Sequence, residues 1–174
     1  MLVSVLIGFA AFVVLVVVLR WGTAWWTWRG DRVVTCPENH QHAGVKVDAL
    51  HAASGLRLAT CSRWPEKAGC GQECLRDIAA APADCLVRNI AAKWYEGKSC
   101  ASCGRPIGRF EWGPNQPALV SADKTSVEWK QVPAEHLYET LEAAVPVCFA
   151  CHMANTLVRE HPEIAIERNR RPSL

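Results

Sequence analysis

Residues Met1 to Leu19 form a single uncharged and almost wholly apolar run. At about 1.5 Å per residue a helix of this length just spans the ~30 Å hydrocarbon core of a bilayer, and does so more comfortably if it continues to Trp26. Trp21, Trp25, Trp26 and Trp28 follow as an interfacial belt, with Trp21, Trp25 and Trp28 on one helical face. A cleaved signal peptide is the alternative. The run is long, has no basic n-region and offers only a poor small-residue site near Thr23 and Ala24, so residues 1–30 are expected to be a permanent single-span anchor.

Beyond the anchor the pattern shortens. Val45 and Val47 alternate with Lys46 and Asp48, and Leu56 and Leu58 flank Arg57, with Ser54-Gly55 between them; this predicts a hairpin. Gln72 to Ala81 reads as a helix with Leu75 and Ile78 on one face, stopped by Pro82, and with Cys70 and Cys74 on one side of its first turn. A second helix is expected from Asp84, as N-cap, to Tyr95. Its apolar stripe is Leu86, Val87, Ile90, Ala91 and Trp94, and Gly97 ends it. Phe110 and Trp112 alternate with Glu111, and Val127 and Trp129 with Glu128 and Lys130. With turn signals at Gly113-Pro114-Asn115 and Ala122-Asp123-Lys124, they predict a small sheet. Pro133 opens a helix carrying Leu137, Leu141 and Ala144, and a last helix runs from about Cys151 to His161 before Pro162. Trp112, Trp129 and Phe149 are expected in its core. The resulting organisation is a cysteine-rich segment over residues 31–96, a finger over 97–166 and a basic tail over 167–174.

Nine cysteines change this picture, because an odd number leaves one over from any disulfide framework. Cys100 and Cys103 form one Cys-x-x-Cys pair, Cys148 and Cys151 another. A two-residue gap lets both thiolates of a tight turn face one ion, and two such turns supply the four sulfurs of a structural zinc site. Gly104 suits the first turn, and the run Met153, Leu157 and Val158 places the second pair at a helix N-terminus, where the dipole favours thiolates. Cys148-x-x-Cys151-His152 also fits the attachment pattern of c-type haem, with Met153, His136 or His161 as a distal ligand, but that reading leaves Cys100 and Cys103 unexplained. In the middle segment, Cys36, Cys61, Cys70 and Cys74 make a candidate second site, with Cys85 a spare or alternative ligand. Its gaps are irregular. Zinc, an iron–sulfur cluster and buried thiols all remain open there. His40 and His42 read as solvated loop residues.

A turn, a hairpin and ligands opening a helix together resemble the treble-clef family of zinc fingers. That resemblance implies a metal-stabilised finger and no particular biological role; with the apolar run ahead of it, the expected fold is α+β, a single transmembrane helix leading into a small cysteine-rich domain. The wording Cys61-Ser-Arg-Trp-Pro-Glu66, Cys70-Gly-Gln-Glu-Cys-Leu75 and Trp94-Tyr-Glu-Gly-Lys-Ser-Cys100 also resembles a group of bacterial single-span cysteine-rich proteins. It implies a place in the bacterial inner (cytoplasmic) membrane and brings no activity with it.

Charge adds orientation. Arg20, Arg29 and Arg32 against Asp31 lie just past the span, so the positive-inside tendency places the soluble part in the cytoplasm, where thiols stay reduced. Net charge is only +2 and no basic stripe accompanies the aromatics, which argues against a nucleic-acid partner. Arg168, Arg170 and Arg171 in the tail could touch anionic lipid at roughly 1 kcal/mol each. No phosphate loop, nucleophile elbow or His-Glu-x-x-His is present, no small-molecule substrate is identified, and a four-cysteine site has no open coordination position. The expected role is therefore a non-catalytic accessory or assembly subunit of a larger membrane protein complex. The alternative is an electron-transfer protein carrying haem c or an iron–sulfur cluster.

Overall fold

The apolar run folds as one continuous helix, α1 (Leu2–Trp28), long and apolar enough to cross a membrane, with none of its spanning window buried. The computed structural model describes residues 2–163, apart from Pro65, Ala68, Pro114 and residues 122–124. The turn signal at Ala122-Asp123-Lys124 and the basic tail lie outside the described residues. The chain divides into two units, Met1–Val87 and Arg88–Leu174.

In the first unit α1 passes through Arg29 and Gly30 directly into a three-stranded antiparallel sheet. Its strands are β1 (Asp31–Thr35), β2 (His42–Val47) and β3 (Leu58–Cys61), in that order. Gly30 has φ +107°, and a Cβ there would meet Leu86 Cδ2 at 3.3 Å, so only glycine makes this corner comfortably. The helix end is capped from β1. Arg32, fully buried, donates from Nη2 to Thr27 O (2.7 Å) and from Nη1 to Trp28 O (2.6 Å) and Gly30 O (3.3 Å). A cation suits these carbonyls because they carry the negative end of the helix dipole. The Arg29 guanidinium lies over Trp26 (3.4 Å) and Trp25 (4.6 Å), a cation–π contact at the C-terminal end of α1.

On β2 the alternation holds: Ala43, Val45 and Val47 are buried, and Lys46 is exposed. The predicted hairpin pairs Val45 with Cys61 and Val47 with Leu58, with an irregularity between Lys46 and Val47. Short helix α2 (Cys74–Ala80) packs against β1 and buries Ile78. It starts later than the sequence indicates, so Cys70 lies in the loop before it and not on its first turn. The reason is local: Gln72 takes a left-handed φ of +57°, which no helix continues through.

The β2–β3 connection is tied by Asp48, whose carboxylate accepts from Arg57 Nε (2.8 Å), pairs with His51 Nδ1 (2.8 Å) and accepts from the His51 N–H (3.3 Å). The Arg57 guanidinium beside it, with His51, holds the Asp48 carboxyl down at about 2. A carboxyl lowered in the folded state stabilises above its unfolded value of 3.8, and that contribution is lost as pH falls through 2. Denaturant midpoints measured at neutral pH and near pH 2 are expected to fall more for wild type than for Asp48→Asn, which lacks the acid-sensitive part at both.

The second unit opens with α3 (Val87–Tyr95), which begins three residues after the expected Asp84 cap. Its sheet has the order β5–β4–β6, from β4 (Ala118–Val120), β5 (Ser126–Val127) and β6 (Val145–Val147). Helices α4 (Leu137–Ala143) and α5 (Phe149–Glu160) complete it. The alternation at Phe110–Trp112 does not form a strand, and Trp129 opens a 3-10 turn (Trp129–Gln131) rather than extending β5. Aromatic packing overrides strand propensity here. Tyr95 stacks on Phe110 (5.2 Å, 9°), and Trp129 stands edge-on to both at 5.9 Å. Two hydrogen bonds pin this cluster to the start of β4: Tyr95 Oη to Ala118 O (2.9 Å) and Trp129 Nε1 to Pro117 O (3.0 Å). Trp129 is core as expected. Trp112 is 49 % exposed and Phe149 only half-buried, so Tyr95, Phe110, Leu119 and Leu137 take the places expected of those two.

Candidate metal centre

The backbone from Lys98 to Ile107 makes a tight hairpin around the first cysteine pair. Ile107 N–H donates to Lys98 O (2.9 Å), Cys100 N–H to Arg105 O (2.8 Å) and Gly104 N–H to Cys100 O (2.9 Å). Gly104 closes it at φ +70°, the conformation that the glycine after the pair supplies. Across from it, β6 runs into α5, and Cys148 is the N-cap of that helix, with Cys151 in its first turn. The two halves are stitched by the Ala101 N–H to Pro146 O bond (2.8 Å).

This brings all four thiols of Cys100, Cys103, Cys148 and Cys151 within 4.8 Å of one another. Cys103 Sγ and Cys148 Sγ are 3.9 Å apart. With metal–sulfur bonds of about 2.3 Å, the sulfurs of a tetrahedral zinc site stand about 3.8 Å apart, so the donor set fits one such ion. Cys100 is buried, while Cys103 lies exposed at the rim. Burial pushes the Cys100 thiol up, but backbone N–H groups of Cys148, Cys103 and Ser102 outweigh it and bring the thiol down to about 6. The first of these is the Cys148 N–H, 3.3 Å from Cys100 Sγ. Cys151, hydrogen-bonded among the sulfurs of Cys148, Cys103 and Cys100, is pushed up to about 12. Four sulfurs this close cannot all ionise unless a cation joins them, so the group could hold a metal ion.

The residues of the haem reading are placed as follows. Cys148 and Cys151 face the Cys100–Cys103 hairpin, and His152 Nδ1 is hydrogen-bonded to Ser126 Oγ (2.6 Å). His136 and His161 pair with Glu139 and Glu163, and Met153 is half-exposed on α5.

In the first unit Cys36, Cys61, Cys70 and Cys74 all line one cavity of about 330 Å³. Cys36 follows β1, Cys61 ends β3, Cys70 lies in the preceding loop and Cys74 opens α2. The sulfurs do not converge as the other four do; among the described residues only the first set lies within 4.8 Å. Burial, then the neighbouring Cys70, Cys61 and Cys36, raise the Cys74 thiol to about 11. For Cys36, the upward push of burial is overcome by N–H groups of Glu38 and Asn39 and by Arg63. Cys85 does not line the cavity. Its thiol lies 3.7 Å from Ala81 O and Pro82 O, and Arg32 is close to it. Sequence reasoning did not single out Arg63, whose Nη1 donates to Cys36 Sγ at 2.8 Å. An arginine two residues after a cysteine carries no such signal until the sheet folds it back.

No family model, curated protein or solved structure matches this chain.

Proposed function

We propose that this chain is a membrane-anchored accessory or assembly subunit whose C-terminal unit is held together by one structural zinc ion on Cys100, Cys103, Cys148 and Cys151. The observation that carries the reading is the convergence of these four sulfurs to within 4.8 Å. A hairpin bearing the first pair, a strand hairpin and a helix opened by the second pair support a treble-clef-like arrangement. Four thiolates close the coordination shell, so the ion organises structure and offers no position for substrate. The role in an assembly is supported by α1 and by α5, where Met153, Leu157 and Val158 stand between 45 % and 48 % exposed along one face. The same reading sets the anchor in the bacterial inner membrane with the soluble part in the cytoplasm, a sidedness supported by Arg20, Arg29 and Arg32 just past the span.

Elemental analysis of the detergent-solubilised chain tests the metal, and its migration in mild detergent tests the role. One zinc per chain, lost in Cys100→Ser, is expected, together with migration in an assembly well above 19.2 kDa. A porphyrin bonded to Cys148 and Cys151 would overturn the zinc. Migration as a free single chain from its native membrane would overturn the accessory role.

A further inference from the structure

The hollow in the first unit has the wrong dimensions for a second copy of the zinc site. Four thiols from four separate stretches line it, yet no three of them approach one another within 4.8 Å. A lone tetrahedral ion requires sulfur–sulfur edges of about 3.8 Å, so it would have to pull the walls together. Three of the four walls are set by the core or the sheet, while Cys70 sits on the loop before α2. Val34, Ala43, Val45 and Leu58 are buried in the unit's hydrophobic core, and Cys36 and Cys74 belong to the same cluster. Antiparallel pairing fixes Cys61 opposite Val45, while the Cys36 N–H to Gln41 O bond (2.8 Å) fixes the other end of the sheet.

The sulfurs are also prepared as acceptors. Arg63 Nη1 donates to Cys36 Sγ at 2.8 Å, and the Gln72 N–H donates to Cys70 Sγ at 3.3 Å. The second bond depends on Gln72 holding φ at +57°, a conformation unfavourable for a residue with a side chain. Neutral thiols are poor acceptors; thiolates bound to metal are good ones and are commonly met by such donors. The neighbouring guanidinium offsets part of the negative charge that four thiolates bring.

We propose that Cys36, Cys61, Cys70 and Cys74 hold an iron–sulfur cluster in this cavity. Such a cluster takes four cysteine thiolates, and its inorganic sulfides spread the metals so that ligands several ångströms apart are each reached. The assignment stands apart from the zinc reading of the C-terminal unit, because it rests on different residues and a different spacing.

The full chain, purified in detergent without oxygen, is analysed for iron, acid-labile sulfide and visible absorbance. Iron and sulfide in equal amounts, with the broad absorbance of sulfide-to-iron charge transfer, are expected in wild type. The double variant Cys61→Ser/Cys70→Ser is expected to lose at least tenfold of both, and Cys85→Ser, outside the cavity, to keep them. A second zinc in place of iron overturns the proposal. So do five alkylatable thiols in a metal-free first unit, or iron that survives in the double variant. Iron and sulfide that persist in Cys100→Ser decide the matter even if the double variant fails to fold, and whether the C-terminal unit holds zinc leaves it untouched.

Discussion

Cys148→Ser is expected to unfold the C-terminal unit rather than merely loosen it. Among the described residues the large buried side chains there are few: Tyr95, Phe110, Leu119, Trp129, Leu137, Leu141 and Val147 carry most of the core. A small core of this kind contributes only a few kcal/mol net, because conformational entropy cancels most of the burial term. Binding of a structural zinc, by contrast, supplies about 10–16 kcal/mol in small fingers near neutral pH. That is as large as the ~5–15 kcal/mol that separates a typical domain from its unfolded state, so on the zinc reading the ion would decide whether the unit folds. Trp129 reports the outcome, since it is 3 % exposed in the folded chain. Its emission is expected to shift to the red in Cys148→Ser, and in wild type after chelation, with recovery when zinc is returned. An unchanged, cooperative melt after complete chelation would mean that the core folds unaided.

The next largest effect is expected at Arg32. It is fully buried and holds three carbonyls at the end of α1, those of Thr27, Trp28 and Gly30. Hydrogen bonds to a charged group contribute about 1.5–3 kcal/mol each, and some of this is recovered when water reaches the freed carbonyls. Arg32→Ala is therefore expected to cost about 3–5 kcal/mol, read from denaturation of the detergent-solubilised chain and from new protease cutting near Gly30. Arg32→Lys restores the charge without the fork that spans two carbonyls, so it is expected to recover only part of the loss. A change below about 1 kcal/mol in Arg32→Ala would show that the cap is ornamental, as at an exposed helix end.

How much of this was legible in the residues depends on how local the determining physics is. The Cys100–Cys103 and Cys148–Cys151 pairs could be read directly, because a two-residue gap dictates the turn wherever it occurs. The long apolar helix and the β2–β3 hairpin were legible from equally local patterns. Strand β1 was not. Its buried Arg32 looks like surface charge until the end of α1 is seen to need a cation. Strand β6 was also hidden, since Pro146 at its centre argues against a strand, yet β6 lies at the sheet edge where a missing N–H is tolerated. The other four cysteines were named as a set, but their spacing in the chain held no geometry. Only the register of β1, β2 and β3 and the placing of α2 gather them around one hollow.

Only Arg29 and Gly30 separate the end of α1 from β1, and neither is slack. One lies over the rings of Trp25 and Trp26, and the other turns at φ +107°, where an added Cβ would press on Leu86. A domain on a long tether swings freely, whereas this sheet is mounted on its helix like a blade on a shaft. Were α1 to cross a bilayer, a tilt imposed on it there would be passed on to the strands with little slack in between.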